Sequence, residues 1–145
     1  ADCVPLFFHD PVRGAVGLAH AGWRGTVQGV ARTTVEAMTA EFGSRPADLR
    51  VAIAPAIGPC CFEVDPDVSQ PFLQGFPGKD LVQARVNKFT IYLWRANEIV
   101  LRDAGVREEN ILVCRVCTSC REDLFFSFRR DRKVTGRMAA VISLP

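Results

Sequence analysis

The chain has 145 residues, 48% of them hydrophobic, which suits one ordinary domain that buries a core without disulfide staples. The formal net charge of +2 argues against a nucleic-acid or anionic-membrane partner, and no run of about 18 apolar residues offers a transmembrane span. No repeat or low-complexity tract divides the chain, so residues 1–145 read as a single domain.

Ala1-Asp2-Cys3-Val4-Pro5-Leu6-Phe7-Phe8 is already core strand, with no initiator Met and no basic lead-in, so it is not a signal peptide. The expectation is a chain that begins inside a domain. Residues 3–9 and 14–20 read as two strands around an Asp10–Gly14 turn, apolar on both faces as in a sheet covered on each side. Ala21-Gly22-Trp23-Arg24-Gly25 reads as a glycine-flanked loop. Apolar residues at helical spacing from Val27 to Met38 predict a helix over about 26–42, stopped by Gly43. Residues 50–54 predict a buried strand and 55–59 a loop. Asp65 and Pro66 predict the start of a short helix over 66–74. A helix is expected over 86–104 with Leu93, Ala96, Asn97, Val100, Leu101 and Ala104 on one face, then a strand at 111–114. Phe125–Phe128 and Met138–Leu144 read as two more strands around a basic turn. The class is α+β (α/β-like), with helices packed on a mixed sheet.

The first hairpin offers the clearest chemistry. A two-residue loop at Pro11-Val12 sets Cys3 opposite His20, where directly opposed Cβ atoms stand about 4.5–5.5 Å apart. One metal ion spans such a pair through sulfur at about 2.3 Å and nitrogen at about 2.0–2.1 Å. A thiol nucleophile with an imidazole base is the second reading, and a buried thiol beside an unrelated histidine the third. His9 is the only other histidine, about 20 Å along the strand from Cys3, and is not expected to ligate. Arg24 is a candidate phosphate contact beside a helix start, or an ordinary surface charge.

The remaining signals are weaker. Six cysteines embedded mostly in apolar runs suit free thiols or ligands in a reducing cytoplasm. Cys114, Cys117 and Cys120 resemble the start of an iron–sulfur run but lack a fourth thiolate at the expected place, so they are expected to be inert. Cys60 and Cys61, on an extended chain, face opposite ways, one packing and one facing the site or solvent. Arg129, Arg130, Arg132, Lys133 and Arg137 read as a solvated hairpin tip, with help for an anionic substrate as the alternative. Trp23, Phe125, Phe126 and Phe128 are expected in the core, although Trp23 is also able to stack a base.

Ala1-Asp2-Cys3, His20-Ala21-Gly22-Trp23-Arg24-Gly25, Ile57-Gly58-Pro59-Cys60-Cys61-Phe62-Glu63-Val64, Cys117-Thr118, Phe125-Phe126-Ser127-Phe128-Arg129-Arg130-Asp131 and Thr135-Gly136-Arg137 occur in one order along the whole chain. Together they resemble the YfiH/YlmD-like family, also called laccase-domain proteins. The resemblance implies the C-terminal portion of a YfiH-like fold. It implies a cytoplasmic, zinc-dependent purine nucleoside phosphorylase acting on inosine, adenosine, guanosine or methylthioadenosine with phosphate, with adenosine deamination as a further activity of some members. It maps Cys3 and His20 onto two catalytic zinc ligands and leaves a further histidine to an upstream segment. The older multicopper label sits badly with two histidines, because copper oxidases need many imidazoles. The competing enzyme reading is a cytoplasmic amide hydrolase of peptidoglycan precursors that uses Cys3 and His20. A polyphenol oxidase and a non-enzymatic binding module built on the basic cluster rank below it.

Overall fold

Asp10 sets the register of the first hairpin. Its Oδ1 accepts the backbone N–H of Val12 at 2.8 Å and of Arg13 at 3.0 Å, and Gly14 completes the turn at φ 59°. These bonds hold a four-residue loop, Pro11–Gly14, where the sequence suggested two. Strands β1 (Val4–Asp10) and β2 (Ala15–Ala21) therefore pair from Asp10↔Ala15 to Val4↔Ala21. The register is offset by two residues from the expected one, and His20 lies opposite Pro5 rather than Cys3. An even offset keeps every side chain on its expected face.

The structure is a computed structural model and describes residues 1–132 and 134–145. The segment expected as a loop turns directly into a short helix, α1 (Trp23–Val27). The single helix expected over 26–42 is broken at Gly29, whose φ of 76° interrupts the helical path, and resumes as α2 (Val30–Phe42). Gly43, at φ 66°, stops α2 as anticipated. Strand β3 (Arg50–Ile53) follows, then β4 (Glu63–Val64) and α3 (Pro66–Gly75). The Asp65 side chain does not cap α3; it forms an ion pair with Lys88 instead.

The helix expected from residue 86 begins only at Leu93. Residues before it form a hairpin, β5 (Val82–Ala84) and β6 (Phe89–Ile91), because Thr90 and Ile91 are buried against neighbouring elements as strand residues. Helix α4 (Leu93–Asp103) buries Leu93, Ala96, Asn97, Val100 and Leu101, the face read from the sequence. Gly105, at φ 93°, follows it. Strand β7 (Ile111–Val113) closes the order.

The architecture is α+β. A mixed sheet runs β2-β1-β3-β7, antiparallel except for the parallel β3–β7 pair, and a small antiparallel sheet runs β4-β6-β5. Val4, Leu6 and Phe8 are fully buried on the helix-covered face. The other face carries Leu18, Phe7, Ala52 and Leu112 in one cross-strand row. The segment from Met138 to Ile142 borders grooves on it, yet Leu18 and Leu112 remain 42% and 65% exposed. The sheet expected to be covered on both sides is thus fully covered on one.

Neither Phe125–Phe128 nor Met138–Leu144 is a strand. The Arg130 guanidinium takes the carbonyls of Thr118, Ser119 and Phe125 at 3.0–3.3 Å, so this stretch folds around a cation rather than along a ladder. Phe126 and Phe128 are exposed, not core, and Phe125 is half-buried. Lys133 of the basic cluster lies outside the described residues.

Candidate metal centre

Because of the register, the residue facing Cys3 at the end of the hairpin is Gly22, with His20 diagonal to it. A Cβ built on Gly22 would lie 3.3 Å from Cys3 Sγ and 3.8 Å from His20 Nε2. Cys3 Sγ and His20 Nε2 thus both border the space beside the Gly22 backbone. A soft sulfur and a borderline nitrogen around one such opening form a donor set that suits zinc. His20 is exposed and Cys3 half-buried, and His20 borders a groove of about 330 Å³ with Pro5, Leu18, Met138 and Ala140. Burial pushes the Cys3 thiol above its ordinary value, which disfavours a free thiolate there. His9 lines a different groove, with Phe7, Arg50 and Leu112, and takes no part.

Two neighbours fix this corner. Asp2, buried and at φ 72°, accepts Thr118 Oγ1 at 2.6 Å, Ser127 Oγ at 3.1 Å and the Arg129 N–H at 2.8 Å. Its own carbonyl accepts the Ile57 N–H at 2.9 Å. Cys3 is thus anchored, one residue away, to segments more than a hundred positions later. Beyond the other strand, a Cβ added at Gly25 would meet the His20 carbonyl oxygen at 3.4 Å, in ordinary van der Waals contact. Thr26 of the same helix accepts the Asn97 amide at 3.1 Å, tying α1 to α4. Arg24 is exposed and lies over the Trp23 ring at 4.3 Å, so both the half-buried ring and the guanidinium sit beside the His20 end of β2.

A second gathering of thiols was not anticipated. Cys60, Cys61, Cys117 and Cys120 place their sulfurs within 4.8 Å of one another, and Cys120 Sγ lies 3.5 Å from both Cys60 Sγ and Cys61 Sγ. Cys60 and Cys61 do not face opposite ways, because the chain there is a tight turn. The N–H groups of Cys61 and Phe62 both donate to the Gly58 carbonyl, at 3.0 and 2.9 Å. Cys114 stands apart and is exposed, so the evenly spaced three-cysteine run does not act as a unit. Burial pushes the Cys60 thiol well up. Burial acts the same way on Cys117, but the N–H groups of Gly58 and Cys120 outweigh it and hold that thiol below its ordinary value. All six cysteines are free thiols.

Of the basic cluster, Arg130 pairs with Asp131 at 2.8 Å and Arg129 donates to the Glu63 carbonyl above the Phe62 ring. Both organise the fold rather than decorate a solvated tip.

Residues 1–145 all match the family model described as multi-copper polyphenol oxidoreductase laccase. The chain belongs to this family. It is 46% identical over 145 residues to the purine nucleoside phosphorylase YlmD of Geobacillus stearothermophilus, an alignment that covers 98% of this chain and 53% of that protein. It is 39% identical over 148 residues to the human purine nucleoside phosphorylase LACC1, covering 99% of this chain and 34% of that one. The crystal structure of YlmD from Geobacillus stearothermophilus matches with a TM-score of 0.88 and 45% identity, over 94% of this chain and 52% of that chain. The chain thus spans about half the length of YlmD. The likeness to the YlmD structure accounts for the α+β architecture. No helix of the described residues is long and apolar enough to cross a membrane.

Proposed function

We propose that this chain carries part of the active site of a zinc-dependent purine nucleoside phosphorylase. The opening beside Gly22, flanked by Cys3 Sγ and His20 Nε2, is the observation that carries the reading. The reaction class comes from relatives named purine nucleoside phosphorylase, YlmD and LACC1. Cys3 and His20 would hold the zinc. An open catalytic zinc site uses three protein ligands, so a further histidine from an upstream segment completes the set. The chain is then the C-terminal portion of a longer YfiH-like domain, in keeping with its spanning about half the length of YlmD. Zinc, when bound, supplies a Lewis acid or a bound water of lowered pKa.

In phosphorolysis a phosphate oxygen attacks the ribose anomeric carbon, the bond from that carbon to the purine nitrogen breaks, and the base departs with a proton. Arg24 is the chain's candidate for orienting the phosphate, since its guanidinium is exposed, lies over the Trp23 ring and follows His20 by four residues. Helix α1 has only five residues, so the guanidinium contributes more than the helix start. Inosine, adenosine, guanosine and methylthioadenosine are the substrates, adenosine deamination is a second activity of the same site, and the compartment is the cytoplasm.

Amide hydrolysis with Cys3 as nucleophile fits less well. Its thiol is pushed up by burial, and the imidazole stands diagonal to it rather than opposite. The test is release of free base from inosine and adenosine, with and without phosphate, by a chain carrying the upstream histidine segment. Release that needs phosphate and vanishes in Cys3→Ala supports the proposal. Zinc-loaded protein that releases no base from any purine nucleoside sinks it and favours the hydrolase.

A further inference from the structure

We propose that Cys60, Cys61, Cys117 and Cys120 form a second metal site, a four-thiolate zinc site distinct from the Cys3–His20 corner. Among the described residues this is the one place where three or more ligating side chains converge. Four sulfurs around a tetrahedral zinc at about 2.3 Å stand about 3.8 Å apart. The observed sulfurs, 3.5 Å apart for two pairs and all within 4.8 Å, already approximate that arrangement. A multi-iron cluster holds its cysteine sulfurs farther apart, so the space suits a single ion.

The site is built by the fold rather than by chance proximity. The parallel β3–β7 pairing continues past the strand ends: Ala56 N–H donates to the Val116 carbonyl at 3.2 Å and Thr118 N–H to the Ala56 carbonyl at 3.1 Å. Two loops therefore leave the sheet side by side, one bearing Cys60 and Cys61, the other Cys117 and Cys120 at the two-residue spacing common in zinc knuckles. Gly58 N–H donates to Cys117 Sγ at 3.2 Å, the kind of bond that orients a thiolate ligand. A side chain at Gly58 is excluded, since its Cβ would stand 3.2 Å from Cys60 Sγ and 2.9 Å from Trp94 Cη2.

A disulfide explains the group less well. Cys120 is equidistant from Cys60 and Cys61, whereas a disulfide joins one of them and leaves the other thiols without a role. Zinc takes all four: four Zn–S bonds form, the four S–H protons go to solvent, and no oxidant is required. The consequence reaches the other site. Ile57 and Thr118, which hold Asp2 beside Cys3, lie in the same two loops, so this metal clamps the segments that anchor the catalytic corner.

The experiment measures zinc per chain and zinc affinity in the 145-residue chain, purified under reducing conditions, beside Cys120→Ser, Cys117→Ser and Cys3→Ser. Cys120 is exposed, so its serine variant keeps the fold even where Cys117→Ser does not. The expected result is one tightly held zinc in the parent and in Cys3→Ser. Affinity falls by at least about 100-fold in Cys120→Ser, more than loss of an outer-shell partner costs. Cobalt(II) in the parent shows strong thiolate charge-transfer absorption that Cys120→Ser weakens. Zinc binding unchanged in Cys120→Ser overturns the proposal. So does a parent chain that binds no zinc, whether thiol titration then finds six free thiols or a disulfide among these four.

Discussion

The hairpin corner and the four-sulfur group differ in how the chain assembles them. Cys3 and His20 lie on adjacent strands joined by one turn, so pairing alone brings them near, but they provide only two ligands. The four cysteines come from loops nearly sixty residues apart and bring four sulfurs within 4.8 Å of one another. The first offers two donors with an open side, the pattern of a catalytic metal site, and the second offers four, the pattern of a structural one. Asp2 joins them, bonded to Thr118 beside one group and preceding Cys3 of the other.

That link is the place to break the comparison. Asp2→Ala removes the acceptor of three hydrogen bonds and strands two buried hydroxyl donors. Equilibrium denaturation is expected to show a loss of about 3 kcal/mol or more, with zinc binding at the four sulfurs weakened. A loss below about 1 kcal/mol means that the carboxylate does not hold the two together. Gly58→Ala separates them: the clash with Trp94 and Cys117 costs about 1–3 kcal/mol and disturbs the four sulfurs, while Cys3 and His20 stay in register. Arg24→Ala sharpens the contrast from the other side. Its exposed side chain leaves stability within about 0.5 kcal/mol, while the phosphate KM rises about tenfold. A phosphate dependence that does not change removes Arg24 from the site.

The smallest effect concerns acid. Thr135 and then Arg130 hold the Asp131 carboxyl below the usual carboxylate range. A folded-state pKa below the unfolded one gives stability that is present above about pH 3.9 and is lost as pH falls through the lower, folded value. Thermal melts between about pH 5 and pH 3 should therefore fall more steeply in the parent than in Asp131→Asn. Equal slopes would show that this carboxyl does not contribute.

The contrast also explains what the sequence could reveal. Strands β1, β2, β3 and β7 and the buried face of α4 follow from local periodicity, and glycines 43 and 105 mark stops as expected. The hairpin offset was hidden because it depends on the Asp10 side chain capturing Val12 and Arg13, not on apolar pattern. The β5–β6 hairpin was hidden because burial of Thr90 and Ile91 overrides a helix-compatible pattern. The four-sulfur group was hidden because it needs the parallel pairing of β3 with β7, a contact between distant segments that no local spacing encodes. A cysteine pair at 60 and 61 read beside the two-residue spacing at 117 and 120 was the signal that pointed to it. Arg130 looked like surface charge until three carbonyls were seen to converge on it.

The most direct test of the reaction centre is phosphate-dependent release of hypoxanthine from inosine by Gly22→Ala, measured beside the parent and Cys120→Ser in a chain carrying the upstream histidine segment. Gly22 has an ordinary φ of −67°, so alanine fits the backbone and fills only the opening between Cys3 and His20. The account predicts a folded Gly22→Ala protein that has lost hypoxanthine release, while Cys120→Ser, which loosens the loops that hold Asp2, loses only part of it. A Gly22→Ala protein that releases hypoxanthine at the parent rate would contradict it.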